Sequence, residues 1–129
     1  MGFGKMSTPL GRVRGLGAAK SGTEHFWRQR LTAVANVPLT IAFVVILVSL
    51  LGRNQPAAQQ ILGTPPVAII MLLFIASVTY HMRLGMQAII EDYVHDEKWK
   101  LAAVIANIFF ALAVGLAAVY AILKLSFGV

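Results

Sequence analysis

The chain contains no cysteine, which excludes disulfides, iron–sulfur ligation and thiolate zinc sites within it. Charge is scarce too. Only 12% of the 129 residues are charged and 58% are hydrophobic, with a mean hydropathy of +0.76, whereas soluble domains carry about 25% charged residues. A soluble domain of this size cannot hide so much apolar surface, so its solvent is lipid. Acids are the rarest group: five in all, and none before Glu24. The net charge of +6 does not point to nucleic acid. Lys5, Arg12, Arg14, Lys20, Arg28 and Arg30, six of the eleven basic residues, precede the first apolar run. They read as a cytoplasmic flank rather than a nucleic-acid-binding stripe, and no nucleic-acid partner is expected.

Long uncharged runs are what the chain does have. Residues 1–23 hold six glycines, four basic residues and no acid, a poor core former that reads as a flexible basic tail. A transit peptide shares that composition, but so many glycines weaken the Arg-rich amphipathic period it requires. A cleaved secretory signal is not expected, because the first apolar run begins only at Leu31 and is too long. Leu31 to Leu51 is free of charge over 21 residues, enough for a spanning helix, which needs about 20. Pro38 lies inside it and should kink the helix, freeing the carbonyl of Val34 near Asn36 and Thr40. Residues 52–66 read as a short polar loop, and the Pro65-Pro66 pair opens a second span over about 67–90. A charged connection follows over 91–100. Leu101 to Leu123 gives a third span of 23 uncharged residues, rich in Ala, with Gly115 and a single Asn107.

The expected fold is therefore an all-α membrane protein with three transmembrane helices, its domain covering residues 24–129. Basic flanks set the orientation. The N-terminal segment and the second loop, with Lys98 and Lys100, belong inside, while the first loop, with only Arg53, and the C-terminus belong outside. Trp27, Tyr93 and Trp99 then fall near the inner headgroups as an aromatic belt. Transport is disfavoured, since the three spans show neither an internal repeat nor a midplane ion-pair pathway.

The second span carries the chemistry. Ionisable side chains are costly in hydrocarbon and are by default functional there. His81, Gly85, Ala88 and Asp92 share one helical face, with His81 roughly 14 Å from the interfacial turn of Asp92. A nitrogen ligand followed by small residues leaves a recess against which a flat macrocycle can lie. A neutral imidazole is tolerable at that depth if one nitrogen binds iron and the other donates to a carbonyl or water. A plain hydrogen bond across a helix interface explains the same residue, and both readings stand on periodicity alone. Arg83 points about 200° away from His81, and snorkelling accounts for it as well as a ligand role does. Ahead of the first span lies Glu24-His25-Phe26-Trp27-Arg28-Gln29-Arg30-Leu31-Thr32-Ala33. There Arg30 is placed either to fork onto acidic groups of a cofactor held by His81 or to serve as an ordinary positive-inside flank.

The Glu-His-Phe-Trp-x-Gln-Arg-Leu-Thr-Ala motif, the three-span layout, and His81-x-x-x-Gly85 followed by Glu91-Asp92-Tyr93 together resemble the smaller hydrophobic membrane-anchor subunit of succinate dehydrogenase (succinate:quinone oxidoreductase, complex II), from about Gly22 onward. The resemblance implies an anchor made with a second hydrophobic subunit (a cytochrome b), sharing one haem b and holding a flavoprotein and an iron–sulfur subunit at the membrane. It implies His81 as an axial haem ligand, Arg30 near the haem propionates, Tyr93 hydrogen-bonding ubiquinone, and Asp92 at the rim of the quinone site. The chain would relay electrons from succinate to ubiquinone without performing substrate chemistry, in a bacterial inner membrane rather than a mitochondrial one. A phenol suits the quinone role because it keeps its proton at neutral pH and donates it in a hydrogen bond. The alternatives are an anchor of another b-type complex, such as fumarate reductase, and a non-redox structural subunit. The resemblance leaves Arg83, His25 and His95 without a role.

Overall fold

A computed structural model describes residues 8–13 and 20–128. Among these, all regular structure is helical: α1 (Pro9–Val13), α2 (Lys20–Leu50), α3 (Gln55–Leu62), α4 (Pro65–Tyr93) and α5 (Glu97–Phe127). The expected tail over residues 1–23 falls largely outside the described residues; α1 and the first turn of α2 lie within it.

Three helices are long and apolar enough to cross a membrane: Thr23–Leu50, Pro65–Tyr93 and Glu97–Phe127, of 28, 29 and 31 residues. At 1.5 Å per residue each is about 40–45 Å long, well beyond a hydrocarbon core of about 30 Å. The uncharged runs are shorter than the helices that contain them, which continue into polar residues at their ends. The chain therefore belongs to a multi-pass membrane protein.

Two connections differ from expectation. The segment 52–66 is not simply a loop, because it folds α3. Asn54 caps that helix by accepting a hydrogen bond from the Ala57 N–H at 3.1 Å, and Pro56 occupies the first turn, where its missing N–H costs nothing. The charged stretch 91–100 is mostly helix as well, leaving only residues 94–96 as a turn. Asp96 starts α5 by accepting from the N–H groups of Lys98 and Trp99 at 3.0 and 3.1 Å, a cap that contributes about 1 kcal/mol. Pro38 lies within α2, which continues past it to Leu50.

The central helix is α4, packed between α2 and α5, with α3 folded across α4 and α5. The tightest packing lies at the α3 end, where Ile46, Leu62, Met71 and Ile122 are buried together and Phe43 stacks on Phe74 with ring centroids 4.3 Å apart. The Ser126 hydroxyl donates to the Leu62 carbonyl at 2.8 Å. The turn after α3 needs Gly63, since a Cβ there would stand 2.9 Å from the Gln59 carbonyl oxygen and 3.0 Å from that of Ser126. Between α4 and α5 a Cβ at Gly115 would stand 3.1 Å from Thr79 Cγ2, so this glycine allows the close approach expected of it. Asn107, buried in the same interface, donates from Nδ2 to the Arg83 carbonyl at 2.9 Å.

The bundle hides little of its apolar surface. Phe109, Leu116, Tyr120 and Val34 are each about two-thirds exposed. Three helices side by side cannot bury one another fully, and the rest must face lipid or other chains.

Candidate functional site

His81 sits on α4 and turns toward the N-terminal part of α2. Its Nδ1 lies 2.9 Å from the Thr32 hydroxyl. Phe26, Gln29, Arg30, Ala33 and His81 line one recess of about 310 Å³ between the two helices. Arg30 and His81, 51 positions apart in the sequence, are thus brought to the same cavity. Helical periodicity explains the α2 side: residues 26, 29, 30 and 33 fall on one face at spacings of three and four.

The Arg30 guanidinium lies 4.5 Å from the centroid of the Phe26 ring. Such a contact holds a cation in place without neutralising it. Among the described residues no carboxylate pairs with Arg30; the ion pair found is Arg28–Glu24 at 3.5 Å, between exposed side chains and so of little energetic weight. Arg30 therefore lines the His81 recess without an acidic partner among the described residues. Gly85, one turn beyond His81, lies beside Gln29: an added Cβ would stand 3.8 Å from Gln29 Nε2, an ordinary contact, so room for about one methyl group remains.

The donor set suits a single axial ligand. Among the described residues no three His, Cys, Asp or Glu side chains converge, so His81 offers one nitrogen rather than membership of a closed protein-only metal site. Two helices wall the recess, and its remaining sides must come from outside the chain. One imidazole and an arginine without an acidic partner, lining an open cavity, are residues that could hold a haem.

Asp92 and Tyr93, at the end of α4, do not line this recess. Both are exposed, Tyr93 at 77%. They stand about three helical turns from His81 along α4, at the level where Trp99 is also exposed. A second, more polar recess of about 340 Å³ lies on another side of α4, with Glu24, His25, Tyr80, Arg83 and Glu91 among its walls. There Glu91 accepts from Gln87 at 2.8 Å, while His25 Nε2 and Arg83 Nε are buried without a hydrogen-bond partner. Arg83 is half-buried on a different face of α4 from His81, among the walls of this recess. His95 is exposed in the turn before α5.

A family model described as succinate dehydrogenase/fumarate reductase transmembrane subunit matches residues 4–119. The chain belongs to that family. It is 35% identical over 121 residues to the succinate dehydrogenase hydrophobic membrane anchor subunit of Paracoccus denitrificans, covering 94% of this chain and 93% of that one. It is 33% identical over 88 residues to the succinate dehydrogenase membrane anchor subunit of Reclinomonas americana, covering 66% and 73% of the two chains. With the corresponding subunit of Rickettsia bellii (strain RML369-C) it shares 30% over 103 residues, 78% and 81% of the two lengths. No solved structure matches significantly. The resemblance drawn from the two motifs and the three spans is therefore correct at the level of family.

Thr32, Gln29 and Phe26 are the side chains around His81 that residue-by-residue reasoning leaves without a role. Each lies inside the motif that precedes the first span, but only the pairing of α2 with α4 shows what they touch.

Proposed function

We propose that this chain is the smaller membrane anchor of a succinate:quinone oxidoreductase in a bacterial inner membrane, ligating a haem b together with a second anchor subunit and forming part of a ubiquinone site. The observation that carries the reading is the recess shared by His81 and Arg30: a metal-ligating imidazole and an unpaired guanidinium on facing helices. When bound, haem b supplies a one-electron carrier within the membrane. His81 would hold the iron through a ring nitrogen. Arg30, without an acidic partner among the described residues, is suited to fork onto the propionate carboxylates.

The basic N-terminal flank and the Lys98–Lys100 end orient these groups toward the inner surface. A flavoprotein and an iron–sulfur subunit would dock on that side and deliver the electrons of succinate. Tyr93, exposed at the inner end of α4, would donate its phenolic hydrogen to a quinone carbonyl, with walls completed by those partners. Asp92 beside it would supply protons at the rim as negative charge develops on the quinone. No group in this chain acts on succinate.

The experiment is purification of the complex through a tag on this chain, followed by a reduced-minus-oxidised optical spectrum. Co-purified dehydrogenase subunits with a low-spin b-type spectrum are expected. An assembled complex without haem would leave the chain a structural subunit. Arg30→Ala is expected to alter haem occupancy or potential, whereas Arg53→Ala should leave both unchanged. Arg53 binds the Ser49 carbonyl through Nε at 2.7 Å near the far end of α2. Equal effects of the two substitutions would mean that lost flank charge, not a propionate contact, is responsible.

A further inference from the structure

We infer that the Thr32 hydroxyl is a positioning group that fixes the tautomer and ring angle of His81, leaving Nε2 as the only nitrogen able to bind a metal. The inference rests on the axial-ligand reading of His81 and names the residue behind it.

A threonine hydroxyl has one proton to give and two lone pairs to receive. Thr32 Oγ1 lies 2.8 Å from the Arg28 carbonyl oxygen and 3.0 Å from that of Gln29, one turn back along α2. Carbonyl oxygens only accept, so the hydroxyl proton is directed to this pair, as is usual for threonine in a helix. The third neighbour, His81 Nδ1 at 2.9 Å, then faces a lone pair of the hydroxyl oxygen. A bare Nδ1 would set lone pair against lone pair. Nδ1 therefore carries the hydrogen and donates it to Thr32. In a neutral imidazole that leaves the basic lone pair on Nε2.

Geometry strengthens the assignment. Threonine is stiff at χ1, and its hydrogen bond shared between the Arg28 and Gln29 carbonyls locks the direction of Oγ1. The hydroxyl thus transmits the orientation of α2 to a ring carried on α4, 49 positions away. An oxygen accepting from the far nitrogen of a ligating histidine also makes the ligand more basic, and loss of such a partner commonly weakens metal binding about 10–100-fold.

The test compares Thr32→Val, Thr32→Ser and His81→Ala with the unaltered chain in the purified complex. It reads haem content per complex, the low-spin electron paramagnetic resonance signal and the haem midpoint potential. Thr32→Val keeps the shape and removes the oxygen. It is expected to weaken haem retention about 10–100-fold, to shift the resonance, and to raise the potential, because a less basic imidazole stabilises ferric iron less. Thr32→Ser should restore all three. If Thr32→Val does not accumulate, Thr32→Ala, smaller and a better helix former, is read in the same way. A normal resonance and potential in the oxygen-free variants, with the haem signal still lost in His81→Ala, would reduce Thr32 to a packing contact and leave the ligand assignment intact. A haem signal that survives His81→Ala unchanged would overturn the ligand assignment itself, and this inference with it.

Discussion

His81→Ala is expected to remove the b-type haem signal from an otherwise assembled complex. The methyl group cannot ligate iron, and no other described side chain stands ready to replace the imidazole: among the described residues, no further histidine lines the recess. Losing the hydrogen-bond partner of a ligand already costs about 10–100-fold in metal affinity, and a lost ligand should cost more. The measurement is haem per assembled complex, with flavoprotein content as the control for assembly. Loss of the whole complex would be an uninformative route to the same spectrum, so His81→Gln, which keeps a polar side chain near Thr32, serves as a second variant. A normal spectrum in either one, with intact assembly, would sink the ligand assignment.

Tyr93→Phe is expected to depress quinone reduction on the order of 10²-fold, the scale seen when one hydrogen-bond donor to a developing oxyanion is removed. Succinate oxidation coupled to an artificial dye should continue, because electrons can leave the complex before they reach this chain. The side chain is 77% exposed, so removal of its hydroxyl leaves no buried cavity and folding should be unaffected. Equal loss of both activities would indicate failed docking of the dehydrogenase subunits. Unchanged quinone reduction would mean that Tyr93 is only an interfacial anchor, a common use of tyrosine.

Much of the fold is legible in the sequence because charge is so expensive in lipid. Leu31–Leu51 and Leu101–Leu123 announce themselves by lacking it, and the second span stands out by the few polar residues it tolerates. Helix ends are less legible. Glu24 to Arg30 and Glu97 to Lys100 are polar yet helical, since hydropathy reports where hydrocarbon stops and not where hydrogen bonding along the backbone stops. The helix α3 does carry a start signal, Asn54 followed by Pro56, but an eight-residue element among glutamines is easily read as loop.

At the site, the spacing from His81 to Asp92 is visible as a shared helical face, and Arg30 is visible as a cation at the correct end of the first span. That Arg30 and His81 line one cavity depends on how α2 and α4 pair. Thr32 shows the limit most clearly: nothing in a single sequence links it to a histidine 49 positions later, and the register of two packed helices supplies the link. Tyr93 illustrates the opposite case. It is 77% exposed, so the structure of this chain adds nothing to what its sequence position suggests, and the proposed quinone contact would need walls from neighbours.

The bond between Ser126 and the Leu62 carbonyl spans 64 positions of sequence, and that distance imposes an order on biogenesis. The α3–α4 corner cannot be latched when α4 enters the bilayer, because the hydroxyl that latches it belongs to the end of α5. Until the third span is threaded the corner lacks this bond, whereas the pairing of α2 with α4 through Thr32–His81 and Phe43–Phe74 needs nothing from α5.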